Sequence, residues 1–327
     1  MRVVGLVIAI VLGLSTFQVH DAAAEPKGKR VAHLTTLATH PFIAQLSKAL
    51  TERAKQFGMD VTTFSTPFDA ALQAQQLDDS IAQKFDLIAL LAASEQAIIP
   101  PMTRAKRAGV PVILVNSQPK DGTDESLFVT FIGEDHNELG RITGESMLKA
   151  LKESGRDGGK VALITGSLHE GVAPRRVAGF KAALAKNPKV EIVAIEDAKW
   201  DTATSERIAG QLFARFAARG GLDGVYGMAD NQAVAIIQAA EAAGIKVGSG
   251  KGELIVLGSN CLKSGIAMIK AGKQYSSGTQ VPTRTGVRTA EVVADYFNDK
   301  RLPKYMFLPV ETISRDNVSK WEAACTF

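Results

Sequence analysis

The strongest constraint on the fold of this chain is a regular alternation of short β-branched segments with amphipathic helical segments. RVAHLT at 30–35, DLIAL at 86–90 and PVILVN at 111–116 are typical of strands buried on both faces, and helical spacing fills most of the sequence between them. Buried strands that alternate with helices predict a parallel sheet with helices on both sides. The first half is therefore predicted to form a doubly wound α/β unit.

The same pattern begins again in the second half, after an extended segment at 127–133. Strands are predicted at 160–166, 190–196, 224–228 and 253–258, with helices between them. No close residue-level repeat relates the two halves, so their similarity is one of architecture. The expected fold is α/β, with two doubly wound parallel-sheet lobes and a central cleft.

The first 24 residues are predicted to be a secretory signal peptide. Arg2 precedes an apolar stretch from Val3 to Leu14, and Ala22 to Ala24 supply a small-residue cleavage site. An uncleaved membrane anchor is the alternative, but the apolar stretch is shorter than the ~20 residues that span a bilayer. Cleavage would leave an exported, soluble chain.

Charge and cysteine content exclude some classes of partner and leave one question open. The net charge of +4 is too small to indicate nucleic-acid binding. Cys261 and Cys325 could form a disulfide in an oxidising compartment or stay unpaired, and the sequence leaves both alternatives open. Neither they nor the histidines have the spacing of a zinc site, so no metal is predicted.

Motifs for enzyme chemistry are missing from the sequence. The first strand runs into TLATHPF, which has no glycine to bring the backbone close to a pyrophosphate. GSGKG at 248–252 lacks the Ser or Thr of a P-loop, and there is no G-x-S-x-G elbow. His33 lies inside a strand pattern and is predicted to be a core residue. We predict no catalytic residues and no cofactor, which leaves a secreted hydrolase or isomerase as the least favoured alternative.

Polar residues are concentrated where the predicted strands end. Ligands of open α/β sheets bind outside the carboxyl ends of the strands. The loops at these ends are rich in Asn, Gln, Asp and Arg, and one of them contains Trp200, one of only two tryptophans. Asp201 and Asp230 could equally be helix N-caps. Taken together, the loops predict a binding site in the cleft.

Several landmarks in these loops occur in an order typical of one family. They are Pro41-Phe42, the PVILVN strand, the R-x-x-G-F element at Arg176 to Phe180, Trp200-Asp201, and then GSN and TQVP. On these motifs the chain resembles the periplasmic solute-binding proteins of ABC importers, in the group typified by ribose-binding protein. The resemblance covers essentially the whole chain after the predicted signal peptide.

The resemblance implies two lobes that are joined by a three-strand hinge and close on a sugar. It implies an N-terminal lobe of residues 25–133 plus 282–311, and a C-terminal lobe of residues 134–281 plus 312–327. The chain would cross between the lobes near 133–135, 280–282 and 311–312.

The resemblance also implies a set of ligand-binding residues on the two walls of the cleft. The N-terminal wall would carry Thr36, His40, Phe42, Ile43, Asn116 and Ser117. The C-terminal wall would carry Arg176, Trp200, Ala229 and Asp230, with Asn260 and Gln280 near the hinge.

These residue types suit the chemistry of a sugar. Phe42 and Trp200 offer flat apolar surfaces to the ring, and Arg176 could give a bidentate contact to hydroxyl or carboxylate oxygens. Arg175 is predicted to face solvent or to be a charge on the lobe surface. The acidic residues of the ribose-type site are replaced here by Asn116-Ser117 and by the GSN segment, so the expected ligand is another monosaccharide, a polyol or a sugar acid rather than ribose.

The resemblance further implies a location and a set of partners. The protein is expected in the periplasm, where it would deliver its ligand to an ABC transporter permease in the inner membrane. A chemoreceptor or sensor kinase that reads the ligand-bound form is the alternative partner.

Overall fold

The structure, a computed structural model, describes residues 25–327. The predicted signal peptide, residues 1–24, lies outside the described residues. None of the helices in the described part is both long enough and apolar enough to cross a membrane.

The described chain alternates strands and helices from one end to the other. The elements of its first part are β1 (Arg30–Thr35), α1 (Pro41–Gln56), β2 (Asp60–Ser65), α2 (Ala70–Ala82), β3 (Leu87–Leu90), α3 (Ile99–Arg107), β4 (Val112–Val115) and β5 (Phe131–Glu134). The middle part contains α4 (His136–Glu153), β6 (Gly159–Thr165), α5 (Ala173–Leu184), β7 (Val190–Asp197), α6 (Thr202–Ala217), β8 (Gly224–Gly227), α7 (Asp230–Ala242), β9 (Ile255–Ser259), α8 (Lys263–Lys270) and β10 (Ser276–Gly278). The last part contains α9 (Pro282–Phe297), β11 (Tyr305–Leu308), β12 (Thr312–Ser314) and α10 (Val318–Trp321).

The strands form two six-stranded sheets, in the orders β11-β5-β4-β3-β1-β2 and β12-β10-β9-β8-β6-β7. All pairings are parallel except that of β10 with the short edge strand β12. The inner strands are buried along their whole length, as the apolar runs LIAL and VILV predict. The prediction of two doubly wound α/β lobes is confirmed. We call the part built on the first sheet the N-lobe and the part built on the second sheet the C-lobe.

The chain passes between the two sheets three times. It leaves the N-lobe sheet after β5, returns through α9, which packs on α1, and leaves again between β11 and β12. The lobe boundaries that the resemblance implies remain a prediction, as does the division into lobes that move as separate bodies.

The sequence pattern gave no prediction of α4 and α9, the helices that follow the first two passages. Both contain interior glycines, Gly140 and Gly144 in α4 and Gly286 in α9, and each lowers helix propensity by about 1 kcal/mol relative to alanine. The packing explains these glycines. A Cβ atom on Gly140 of α4 would lie 2.1 Å from the carbonyl oxygen of Arg176, and one on Gly286 of α9 would lie 2.3 Å from that of Leu46. Close contact with α5 and α1 therefore outweighs local propensity.

The fold shows the environment of three further residues that the sequence analysis discussed, Cys261, Cys325 and His33. Cys261 and Cys325 are joined by a disulfide with a Cα–Cα distance of 5.0 Å, which attaches the C-terminal tail to the start of α8. His33 is fully buried in β1, as predicted, and its ring nitrogens contact the Ala89 carbonyl oxygen and the Ser47 hydroxyl.

Candidate ligand-binding site

A cavity lies between the lobes, at the carboxyl ends of both sheets. Residues from both walls line it, and they include eight of the predicted ligand-binding residues: Thr36, His40, Phe42, Asn116, Arg176, Trp200, Asn260 and Gln280. Ile43, also predicted for the N-terminal wall, lines the cavity as well. The parallel topology thus brings together loops that are up to about 240 residues apart in the chain.

Asp230 is one of three predicted wall residues, with Ser117 and Ala229, that do not line this cavity. Its side chain is fully buried at the start of α7 and accepts hydrogen bonds from the Leu262 amide, from Gln274 and from Ser277. Burial raises the pKa of the Asp230 carboxyl to about 7. Its contacts connect α7 to the loop before α8 and to β10. Ala229, the residue before it, is buried and does not line the cavity either.

Arg176 is the centre of a polar network on the C-lobe wall. Its guanidinium is 1% exposed and donates from Nη1 to the Met228 carbonyl oxygen at 2.7 Å and to Asn260 Oδ1 at 3.2 Å. Nη2 donates to Gln280 Oε1 at 2.6 Å, and Nε donates to His136 Nδ1 at 3.3 Å. Four of the five N–H groups of this side chain are therefore in use. The bidentate contact to a ligand that the sequence predicted does not fit this geometry.

The network continues from Arg176 into the first two passages between the sheets. Gln280 Nε2 donates to Asn116 Oδ1 at 2.5 Å and to Glu134 Oε2 at 3.1 Å. His136 Nε2 lies 2.9 Å from the Asn116 carbonyl oxygen, so this nitrogen carries the proton and Nδ1 can accept from Arg176. Burial, with the nearby Arg176 charge second, holds the pKa of His136 well below its usual value. A neutral histidine therefore connects the N-lobe to Arg176.

Trp200 forms the aromatic part of the C-lobe wall. It has a positive φ of 64°, which is rare for a bulky residue, and its indole Nε1 donates to Glu170 Oε1 at 2.5 Å. The ring lies over Gly166, where a Cβ atom would come within 1.7 Å of it. The Arg176 guanidinium is 5.4 Å from the ring centroid, within the range of a cation–π contact.

Positive φ angles recur among the lining residues. Asn116 has a φ of 60° and Asn260 a φ of 92°, so both share the left-handed conformation of Trp200. Each of these positions costs backbone free energy, and such strain is typical of binding sites held in place by the surrounding structure.

The N-lobe wall is more apolar than the C-lobe wall. His40 is the N-cap of α1, where its Nδ1 accepts from the Phe42 amide at 3.3 Å. Burial lowers the pKa of His40 to about 4, so the ring is neutral near pH 7. Its edge faces the Trp200 ring across the cavity, with ring centroids 6.3 Å apart.

Five lining residues were not predicted as ligand-binding residues: Leu37, Phe68, Leu91, Glu170 and Val172. Two of them add a carboxyl group and an aromatic ring to the cavity. Glu170 belongs to the GSLHEGVAPRR loop, which the sequence did single out, but as an isolated carboxyl it matched no motif. Phe68 follows β2, whose carboxyl end also faces the cleft, so its position could have been inferred from the topology. Phe68 has a φ of 55° and packs against the apolar cluster of the C-lobe that contains Trp200.

At the rim of the cleft a second group of residues joins the lobes. Arg175 was predicted to face solvent, but it is buried and forms ion pairs with Glu95 at 2.8 Å and with Asp121 at 2.7 Å, both in the N-lobe. It also donates to the Pro119 carbonyl oxygen at 2.8 Å. We call Arg175 and these three N-lobe partners the rim contact. The prediction was wrong because the loops that meet Arg175 are distant in sequence.

The backbone contributes to the same rim. The Gly171 amide donates to the Ser117 hydroxyl at 3.1 Å, and the Glu95 amide donates to the His169 carbonyl oxygen at 3.2 Å. A Cβ atom on Gly171 would lie 1.9 Å from the Gln118 carbonyl oxygen. Ser117, predicted as a lining residue, therefore contacts the opposite lobe instead. The lobes are in direct contact around the cavity, which is a closed arrangement.

Comparisons with known proteins agree with this architecture. A family model described as a periplasmic binding protein domain matches residues 31–301. The D-allose-binding periplasmic protein of Escherichia coli is 25% identical over 299 residues, which is 89% of each chain. A xylitol-binding protein of Mycolicibacterium smegmatis is 23% identical over 319 residues, covering 95% of this chain and 84% of that protein.

A solved structure supports the fold independently. The fructose-binding periplasmic domain of a hybrid two-component system superimposes with a TM-score of 0.79 at 23% identity, covering 90% of this chain and 95% of that one. The family model, the two lobes and the cavity between them agree, and the chain belongs to the periplasmic binding protein family.

Proposed function

We propose that this protein captures an uncharged sugar or polyol between its lobes in the periplasm and delivers it to the permease of an ABC importer. The cavity itself carries the proposal, because it is closed, is lined from both lobes, and combines aromatic surfaces with fixed polar groups. Phe42, Phe68 and Trp200 can pack on the C–H faces of a ring or chain, while Asn116, Asn260 and Gln280 can bond to hydroxyls.

The mechanism follows from the distribution of these groups over two walls. A ligand that contacts both walls favours the closed arrangement, because only that arrangement provides all its contacts. The three passages between the sheets would act as the hinge, and the closed form would present both lobes to the permease. The protein would bind its ligand without catalysing a reaction. Relatives named for D-allose and xylitol support a small polyhydroxylated ligand.

The first experiment is a thermal-shift screen with pentoses, hexoses, tetritols, pentitols and aldonic acids. A ligand that binds only the folded state raises the melting temperature, so at least one uncharged sugar or polyol is expected to do so. Isothermal titration calorimetry then gives the affinity. No shift with any compound of the panel would contradict the proposal.

A variant of Trp200 tests the assignment of the cavity. Trp200→Ala is expected to weaken binding by about 1–3 kcal/mol, through lost apolar contact and stacking. Trp200→Phe is the matched control, since it keeps an aromatic face and should lose less. Unchanged affinity in the alanine variant would remove Trp200 from the site.

A sensing role is the second candidate function. The fructose-binding domain of a two-component system shares this fold, so the same closed form could be read by a chemoreceptor or sensor kinase. Pull-down with the ligand-loaded protein from inner-membrane extracts distinguishes the two functions. Recovery of a permease with its ATPase supports transport, and recovery of a sensor kinase supports sensing.

A further inference from the structure

Glu170 places a carboxyl group in the cavity, and one of its two oxygens accepts a hydrogen bond from the protein. It is 3% exposed, and Oε1 accepts the indole N–H of Trp200. Oε2 has no hydrogen-bond partner among the described residues, although the side chain lines the cavity. The second oxygen is therefore available to a ligand.

The groups around Glu170 do not neutralise it with a direct ion pair. Arg176 also lines the cavity, but its guanidinium does not donate to Glu170. Its hydrogen bonds go to Met228, Asn260, Gln280 and His136. The Asp197 carboxyl raises the pKa of Glu170, whereas the Arg176 charge lowers it.

We propose that Glu170 is a specificity-determining residue, which positions Trp200 through one oxygen, bonds to a ligand hydroxyl through the other, and selects uncharged polyhydroxylated ligands over the corresponding sugar acids. This inference rests on the proposed function and names the class of ligand for the same cavity. A hydroxyl can both donate and accept, so it fits either protonation state of Glu170. A ligand carboxylate only accepts, so ionised Glu170 repels it.

The protonation state of Glu170 makes this selection depend on pH. Burial raises the pKa of Glu170 to about 8, an effect that the Trp200 hydrogen bond and the Arg176 charge only partly oppose. The carboxyl is then neutral near pH 7, where its O–H can donate to a ligand carboxylate, and ionised above pH 8, where it repels one. A bound ligand excludes water and disfavours the ionised form further, so ligand affinity is expected to fall as pH rises through about 8. The other titratable groups around Glu170 are His40 and His136, whose pKa values lie below this range. Arg176 lowers the pKa of Glu170 and Asp197 raises it.

Glu170→Gln is the central test, because glutamine keeps an acceptor for the Trp200 indole and cannot ionise. Affinities for the best sugar or polyol of the panel and for its aldonic acid are measured by calorimetry between pH 6 and 9. At pH 9 the wild type is expected to prefer the uncharged ligand about tenfold or more, to show a smaller preference at pH 6, and to lose affinity for the uncharged ligand above pH 8. In Glu170→Gln the preference at pH 9 should shrink several-fold and the pH dependence should disappear.

A second variant separates positioning from specificity. Glu170→Leu removes both hydrogen bonds, and in a Trp321→Phe background Trp200 is the only tryptophan, so its fluorescence reports on its surroundings. A shifted emission in Glu170→Leu, together with unchanged emission in Glu170→Gln, supports the positioning role. Identical emission in all three proteins would overturn it.

The outcomes for Glu170 and for the proposed function differ. If Glu170→Gln binds the uncharged ligand and the aldonic acid with the same ratio and pH profile as the wild type, Glu170 does not determine specificity, and capture of a sugar or polyol still stands. If the wild type binds the aldonic acid better, the proposed selection is wrong. If no compound of the panel binds either protein, the proposed function itself fails.

Discussion

Two neighbouring arginines of α5 connect the lobes in different ways. Arg176 lies in the cavity wall, fully buried, with four polar partners from the C-lobe and the passages between the sheets. Arg175 lies at the rim, where its partners Glu95 and Asp121 are partly or almost fully exposed. Polar interactions are worth more in a buried site than at a solvated surface. The cavity should therefore determine ligand affinity, and the rim should adjust how readily the lobes close.

The largest expected effect is that of removing the buried arginine. Arg176→Ala leaves Gln280 Oε1, Asn260 Oδ1 and the Met228 carbonyl without their donor. We expect a loss of about 2–5 kcal/mol in ligand binding, the range seen when one partner of a buried charged network is truncated. Calorimetry measures it, and the melting temperature of the ligand-free variant shows whether folding is also affected.

The matched control for this variant is Arg176→Lys. Lysine keeps the charge and loses the planar arrangement of donors, so it should recover only part of the affinity. Full recovery by lysine would show that charge alone matters at this position, against the network described here.

The second prediction addresses closure without changing a cavity residue. In Gly171→Ala the new Cβ would lie 1.9 Å from the Gln118 carbonyl oxygen of the other lobe, so the lobes must separate at the rim. Overpacking of this kind costs about 1–3 kcal/mol, and it should appear as weaker ligand binding. Because the clash is between the lobes, the stability of the ligand-free protein should change little.

Small-angle scattering of the ligand-saturated protein is the structural readout for Gly171→Ala. A larger radius of gyration than that of the wild type is expected. Wild-type affinity together with a wild-type radius would show that the rim does not close as described.

The smallest expected effect is that of the exposed ion pairs. Arg175→Ala removes two pairs that are partly solvated, each worth about 0.2–1 kcal/mol. We expect a loss of affinity of about thirtyfold at most, and one that shrinks at high ionic strength because salt screens exposed charges. Comparing Arg175→Ala with the wild type at low and high salt measures both. A loss as large as that of Arg176→Ala would abolish the distinction between cavity and rim.

The sequence was sufficient for the fold and for most of the cavity. The apolar runs of the inner strands are long enough to require burial on both faces, and parallel sheets place their carboxyl ends at one edge. The loops carrying His40, Asn116 and Trp200 could therefore be assigned to one cleft before their distances were known. Asp230 could not be distinguished from them, because a buried carboxyl at a helix start and a ligand-facing one have the same local sequence.

The residues that could not be predicted from the sequence depend on contacts between distant segments. Glu170 becomes a site residue because Trp200, thirty positions later, adopts a positive φ and turns its indole N–H towards it. Phe68 lines the cavity because the C-lobe packs against it. Helices α4 and α9 form in spite of internal glycines because those glycines admit a neighbouring backbone.

Arg175 and Arg176 are an example of what the sequence determined and what only the tertiary structure decided. The sequence by itself determined two α/β lobes, a cleft at the strand ends and an arginine at the start of α5. Successive residues of a helix point about 100° apart, so one arginine must face away from the other. Which one enters the cavity, and what the other meets, was decided only by the closure of two lobes whose facing loops are far apart in the chain.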